Sequence, residues 1–251
     1  MIGYQALLFY VLSLVQHLCL LPPASAGVLI DAEHGLISDK DYYELTNAVA
    51  SEGASPIIRV PWNEEWMIKR ALDAGCHGVL TLMCHSADDA RKIVQYSKYS
   101  PVGSRGYGPM FAPHSFHRLP ARQYDERANK DLLVAAQIEF RSAVENVDEI
   151  AQVEVVDVLL IGPFDLAKQM GVTRGSEEHA AAIQKALKAA KLAGKKTAIF
   201  CTNGTQARSR AQEGFYMVSI ITGLGILEEG MTRELAVATN AHPQEKGRDQ
   251  Y

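Results

Sequence analysis

Cysteine is scarce, and the little there is forms no motif. The four cysteines, Cys19, Cys76, Cys84 and Cys201, contain no CxxC pair, which removes the basis for a zinc ribbon or a thiol–disulfide centre. Cys84 and Cys201 close apolar runs and Cys76 just precedes one. These are positions for small buried hydrophobes in a reducing compartment. Positive charge is not in excess either. There are 25 Lys and Arg against 29 Asp and Glu, a net charge of −4. No general electrostatic pull toward nucleic acid or anionic membrane is expected, so an anionic ligand must be held by local groups. Internal linkers and low-complexity blocks are absent, and outside the first residues no apolar stretch is long enough to span a bilayer. A single domain, without nucleic acid and without a stable membrane span, is the expectation.

The one long apolar run is at the amino terminus, Ala6 to Leu21, followed by Pro22-Pro23 and by Ala24-Ser25-Ala26, which resembles a signal-peptidase site. Against a signal peptide, no Lys or Arg precedes the run, and Gln16 and His17 interrupt it. Three origins stay open: a signal peptide, a strand and helix buried in the fold, or an altered start. The division expected is an apolar leader over 1–26, a barrel domain over 27–241 and a polar, mobile tail over 242–251. The expected location is the cytoplasm, or the secretory pathway if residues 1–26 act as a signal.

What is present is alternation. The length, 251 residues, with 47% hydrophobic and 22% charged residues, suits one large α/β domain, and a (β/α)8 barrel needs about 250 residues. Runs rich in Val, Ile and Leu predict strands at Val28–Asp31, Pro56–Val60, Gly78–Met83, Leu132–Ile138, Val155–Ile161, Thr197–Cys201 and Met217–Ile221. Continuous apolar runs of this kind read as parallel strands buried on both faces. Gly53, Gly75, Gly194 and Gly214 each close a helical stretch just before a strand, the place for a left-handed helix stop. Ser86 and Ser176, each followed by acids, mark helix starts. That makes seven strands after Gly27. The eighth strand of a TIM-type barrel would be its first, and the apolar segment before Pro22 is the available donor. The fold class expected is therefore a (β/α)8 barrel whose first strand is atypical or replaced by an apolar amino-terminal segment.

Barrel enzymes carry their catalytic groups at the carboxyl ends of the strands. Those ends read Asp31-Ala32-Glu33-His34-Gly35, Arg59, Gln137-Ile138-Glu139, Gly162-Pro163-Phe164-Asp165 and Thr202-Asn203. Glu139 and Asp165 close consecutive strands, so their carboxylates can converge. Two hard oxygen ligands suit Mg²⁺ or Mn²⁺; two ordinary loop acids are the plainer alternative. His34 has the ring for a general base, with Asp31 three residues earlier to orient it, or it is one of eight histidines with no chemical part. Arg59 ends a strand in IIRVP, where a buried charge needs an anionic partner; a substrate oxygen or a structural ion pair would both serve. A Schiff-base aldolase needs a lysine near a strand's carboxyl end. Lys195 and Lys196 precede their strand, and none of the strand ends named carries one, which favours metal activation of a carbonyl.

These motifs resemble the HpcH/HpaI family of metal-dependent 2-oxo acid aldolases, which includes macrophomate synthase among its relatives. The matching pieces are VLIDAEHG (Val28–Gly35), IIRVPW (Ile57–Trp62), the stretch Ile68–Arg91, PVGSRGYG (Pro101–Gly108), QIE (Gln137–Glu139) and IGPFDLA (Ile161–Ala167). The resemblance implies a carbon–carbon lyase that cleaves or forms 4-hydroxy-2-oxo acids. By that resemblance Glu139 and Asp165 bind Mg²⁺ or Mn²⁺, with Co²⁺ a further candidate, and the metal chelates pyruvate or a related 2-oxo acid. Gln137 and the Gly162, Pro163, Phe164, Asp165 loop bind substrate, the loop through its backbone amides. Arg59 stabilises the enolate and the aldehyde oxygen. His34, assisted by Asp31, moves protons through a water that Glu33 supports. A trimer-based hexamer is implied, as is tolerance of oxaloacetate decarboxylation.

The chain also departs from the family pattern. The apolar leader stands where a strand and helix usually precede the DAEHG-type strand. Phe164 occupies a position that is small in many members, which narrows the expected pocket. Phe140 replaces a common Thr or Ser, Gly223 a frequent Asp, and Tyr216 is unusual. Full activity is the point these departures put in question.

Overall fold

The computed structural model describes residues 27–240 and the backbone of Gln5–Tyr10. The polar tail, Cys19 and the Ala24-Ser25-Ala26 site lie outside the described residues. In chain order the elements are β1 (Gln5–Tyr10), β2 (Gly27–Asp31), α1 (Asp39–Ser51), β3 (Ser55–Val60), α2 (Glu65–Asp73), β4 (Gly78–Thr81), α3 (Ala87–Ser97), α4 (Ala121–Asp131) and β5 (Leu133–Ile138). They continue with α5 (Arg141–Glu145), α6 (Val147–Ala151), β6 (Val158–Ile161), α7 (Pro163–Met170), α8 (Glu177–Leu192), β7 (Lys196–Ile199), α9 (Gly204–Glu213), β8 (Met217–Thr222) and α10 (Gly223–Thr239).

The sheet is curled and all-parallel, each strand pairing with the next from β2 to β8. The backbone of β1 lies between the two ends of that curl, pairing with β2 on one side and β8 on the other. All seven predicted strands are present, four of them cut back at one end; β5 begins at Leu133 rather than Leu132. β4 stops at Thr81 because Met83 has φ 58°, outside the extended region. Val155 and Val156 precede β6 in a turn closed by Val156 N–H to the Val153 carbonyl. β7 ends at Ile199, before Phe200 and Cys201.

Both faces of the sheet are buried, as the continuous apolar runs require. Leu29, Ile57, Leu80, Ala135, Leu160, Ala198 and Phe200 meet inside the curl. Their neighbours of opposite parity pack outward under the helices: Val28, Ile58 and Val79 on one side, Val134, Leu159 and Ile199 on the other. Because side chains alternate along a strand, Asp31, Arg59 and Gln137, each two residues beyond an interior apolar residue, point into the carboxyl mouth.

Gly53, Gly75, Gly194 and Gly214 all take positive φ, from 72° to 103°, which a Cβ would oppose. Ser86 and Ser176 cap α3 and α8 by accepting from Asp89 N–H and His179 N–H. Cys76, Cys84 and Cys201 are buried and free, each thiol pushed up to about 12 by burial, so they pack as small hydrophobes.

One close approach tests the strand packing. A Cβ added at Gly78 would lie 2.7 Å from the Leu133 carbonyl oxygen and 2.8 Å from its Cβ. Both belong to paired strands that cannot separate locally. Gly78→Ala is expected to cost about 1–3 kcal/mol, the usual range for overpacking. A lower urea midpoint at unchanged slope would show it; an unchanged midpoint would mean that β4 and β5 are less rigidly paired than described.

Candidate active site at the carboxyl ends of the strands

Parallel register places Asp31 directly beside Arg59. Arg59 Nε donates to Asp31 Oδ1 at 2.9 Å, and its Nη2 donates to Oδ2. Both residues are 3% exposed, so the anionic partner that a buried arginine requires is supplied by the chain itself. Asp31 Oδ1 also accepts the main-chain N–H of Glu33 (3.1 Å) and of His34 (3.2 Å). Burial pushes the Asp31 carboxyl upward, but Arg59 and the two amides outweigh it and hold it below its ordinary value.

Glu33 Oε2 lies 3.1 Å from Arg59 Nη1 and 3.5 Å from His34 Nε2. The Arg59 approach is an ion pair without hydrogen-bond alignment, since that oxygen makes no hydrogen bond. The Glu33 carboxyl is raised, by burial first and then by Asp31 and Asp165, against the pull of Arg59 and His34. Asp31 thus reaches His34 through the main chain, and Glu33 stands between Arg59 and the imidazole, itself about half exposed.

Across from this wall, Glu139 is 5% exposed. Gln137 Nε2 donates to its Oε2 at 2.6 Å and Met83 N–H to its Oε1 at 3.4 Å. Burial raises the Glu139 carboxyl to about 7, with Asp165 and Glu33 adding and the two donors opposing. Asp165 sits in the first turn of α7, which is capped by Gly162. A Cβ on Gly162 would meet Gln137 Nε2 at 3.0 Å and Asp165 Oδ2 at 3.4 Å, so a glycine keeps the Gln137–Asp165 side of the mouth open. α7 is fixed from outside by buried His179, whose Nε2 lies 2.9 Å from the Pro163 carbonyl. It is fixed also by Arg141, whose Nη2 donates to the Met170 carbonyl.

The donor set fits a divalent cation. Asp165 and Glu33 are close enough to raise the Glu139 carboxyl, and Asp165 is close enough to raise that of Glu33. Glu139 is buried where its negative charge is costly, and hard carboxylate oxygens suit a small cation. Among the described residues no three His, Cys, Asp or Glu side chains form a metal cluster. A site of two carboxylates fits an ion that takes its remaining ligands from substrate and water.

Other residues singled out in the sequence fall elsewhere. Asn203 caps α9 by accepting from Gln206 N–H, and Thr202 N–H donates to Gln206 Oε1. Tyr216 lies at the amino end of β8 with Lys196 Nζ 4.3 Å from its ring centre, at the end of the strands remote from the site. Phe140 stacks on His85. Gly223 opens α10 behind the Thr222 cap. Lys195 donates to the Val153 and Glu154 carbonyls, also at the amino ends. Sequence reasoning missed the Met83 amide, whose residue left no local signal, and the aromatic contact of Phe164 with Phe200. A groove of about 360 Å³ lined by Val94, Gln95, Val102 and Glu149 among others lies outside the sheet and shares no site residue.

An all-parallel, barrel-like α/β fold with an acidic and arginine-bearing mouth at its strand carboxyl ends defines a class of enzymes that work on small oxygenated substrates. This chain belongs to the HpcH/HpaI aldolase/citrate lyase family, whose model matches residues 24–225. It is 35% identical over 202 residues to a 4-hydroxy-2-oxo-heptane-1,7-dioate aldolase of Shigella flexneri, covering 79% of this chain and 74% of that one. Among solved structures, an HpcH/HpaI aldolase/citrate lyase family protein from Burkholderia cenocepacia J2315 aligns with TM-score 0.86 at 27% identity, covering 95% of each chain. Macrophomate synthase shares the fold, with TM-score 0.82 at 22% identity over 94% of this chain and 85% of that one. The chain is a carbon–carbon lyase by that membership, and the family is metal-dependent.

Proposed function

We propose that this protein is a class II aldolase that cleaves or forms 4-hydroxy-2-oxo acids, with pyruvate as the released or consumed half, on a complete (β/α)8 barrel begun by Gln5–Tyr10. The observation that carries the reading is Glu139, a buried carboxyl raised to about 7 beside Asp165 and Glu33, in a chain 35% identical to a named aldolase. Glu139 and Asp165 would hold Mg²⁺ or Mn²⁺, with Co²⁺ a third candidate. When bound, such an ion supplies a Lewis acid for the 2-oxo carbonyl.

The chain's own residues do the rest. Main-chain N–H groups of Phe164 and Asp165, in the first turn of α7, would hold the substrate carboxylate; Pro163 has no N–H to offer and fixes the turn. Gln137 orients Glu139 through its Nε2 and faces the substrate. Cleavage breaks the C3–C4 bond. His34 would accept the proton of the C4 hydroxyl through a water that Glu33 steadies, and a proton returned to C3 completes pyruvate. Arg59, fixed by Asp31, would balance negative charge on the aldehyde oxygen and on the pyruvyl fragment. Such a fixed charge is typically worth about 3 kcal/mol in the transition state.

The test is pyruvate release from a panel of 4-hydroxy-2-oxo acids and from oxaloacetate, with Mg²⁺, Mn²⁺ or EDTA, beside Glu139→Ala. Metal-dependent release lost in the variant is the expected result. Release from oxaloacetate alone would move the reading to a decarboxylase or cyclising enzyme of the macrophomate-synthase type. No release, together with a melting point that Mn²⁺ does not raise, would make the chain an inactive relative.

The reading includes self-association as a trimer-based hexamer in the cytoplasm. It is supported by the exposed apolar residues of α10, among them Leu224, Ile226, Met231 and Leu235, since contiguous exposed apolar surface marks interaction sites. Light scattering is expected to give a mass several times that of one chain; a monomer at micromolar concentration would remove this part of the reading. Among the described residues, no helix is long and apolar enough to cross a membrane.

A further inference from the structure

We infer that Phe164 determines which aldehyde this site takes, favouring short aldehyde halves over long ones. The inference rests on the aldolase reading above and deepens it. Around the curl of strands, β2 and β3 lie opposite β6 and β7. The mouth therefore has a charged wall, Asp31 and Arg59, and facing it an apolar wall from the ends of β6 and β7. That second wall is Phe164, beside Asp165, and Phe200.

The two rings meet edge to face, with centres 5.8 Å apart and planes at 72°. Phe164 rests on the interior apolar cluster that floors the site. The Arg174 guanidinium carbon lies 4.3 Å from the centre of the Phe164 ring, well within cation–π range. Phe164 is thus held between Phe200 and Arg174, and its helix cannot back away, because His179 and Arg141 pin α7 near its two ends. A substrate seated by its carboxylate at the start of α7 must run its C4 substituent between this fixed ring and the charged wall. The ring is polar-free and rigid, so a longer substituent meets it as a steric stop.

The experiment is kcat/KM for pyruvate release from 4-hydroxy-2-oxo acids whose aldehyde halves have two, three, four and six carbons, with Mn²⁺. Wild type, Phe164→Ala and Arg174→Met are compared. Wild type is expected to lose at least about tenfold between the two- and four-carbon halves, since a single methylene in a shaped pocket is worth about 10–200-fold. Phe164→Ala is expected to recover at least about tenfold in the long-to-short ratio, and Arg174→Met to shift it the same way by less. If melting shows Phe164→Ala unfolded, Phe164→Leu carries the same comparison. A ratio within about twofold of wild type in the folded variants, or a wild type that prefers long halves, overturns the inference and leaves the aldolase reading standing. A wild type that releases pyruvate from no member overturns the aldolase reading itself, and this inference with it.

Discussion

Glu139→Gln is expected to lower metal-dependent pyruvate release by on the order of 10²–10³-fold, the cost of removing one preorganised charge-stabilising group. It is also expected to make the metal-free protein more stable at pH 8. The two effects share one cause. Burial raises the Glu139 carboxyl from an ordinary 4.5 to about 7. A carboxyl whose folded value is raised stabilises the fold fully below its ordinary value, and that contribution is lost as pH rises through the folded value. The metal-free wild type therefore loses stability between pH 4.5 and about 7, by roughly 3 kcal/mol at most.

A glutamine side chain in its place cannot ionise and avoids that loss. The gain is partial, because the new amide must turn an NH₂ toward one of two donors, Gln137 Nε2 or the Met83 amide. Thermal melts in EDTA at pH 5 and pH 8, then with Mn²⁺ at pH 8, check all of this. The variant should melt higher than wild type only at pH 8 without metal, and Mn²⁺ should raise wild type alone. An equal Mn²⁺ shift in both proteins would remove Glu139 from the metal site.

The second large effect concerns the Asp31–Arg59 pair. Asp31→Ala leaves Arg59 buried without its two-point partner, and breaking a buried pair in this way typically costs about 3–5 kcal/mol. Arg59→Lys separates stability from catalysis. A lysine keeps the charge but cannot present Nε and Nη2 to both oxygens of Asp31 at once. Its melting point should fall less than that of Asp31→Ala, while kcat falls on the order of 10²–10³-fold. A kcat within about threefold of wild type in a folded Arg59→Lys protein would make the pair structural. The pair should also set the acid limit. A carboxyl held below its ordinary value contributes stability above that value and loses it as pH falls through the lower, folded value. Acid unfolding below pH 3.8, the ordinary value for Asp31, is therefore expected to shift upward in Arg59→Lys.

The sequence was most legible where the physical cause is local. A strand buried on both faces must be continuously apolar, so β2, β3 and β5 stood out in the runs at Val28, Pro56 and Leu132. Glycine after a helix and serine before one act within a few residues, which made the connections readable. Charged residues directly after apolar strands could be listed in advance as occupants of the mouth. Strand bounds were less legible where a single backbone angle decided them, as at Met83, because no side-chain pattern encodes that angle.

By itself, then, the sequence determined the alternation of strands and helices, the family motifs and the end of the strands at which the acids gather. These follow from burial and capping, which are read within a few residues of chain. Only the tertiary structure decided that Arg59 is paired with Asp31, a contact 28 residues apart that depends on the register of β2 against β3. It alone raised Glu139 through burial, and it alone set Phe164 between Phe200 and Arg174. Each of these arises where the curl of the sheet brings separate strand ends together, and register and dielectric surroundings belong to the packed molecule rather than to any one segment of it.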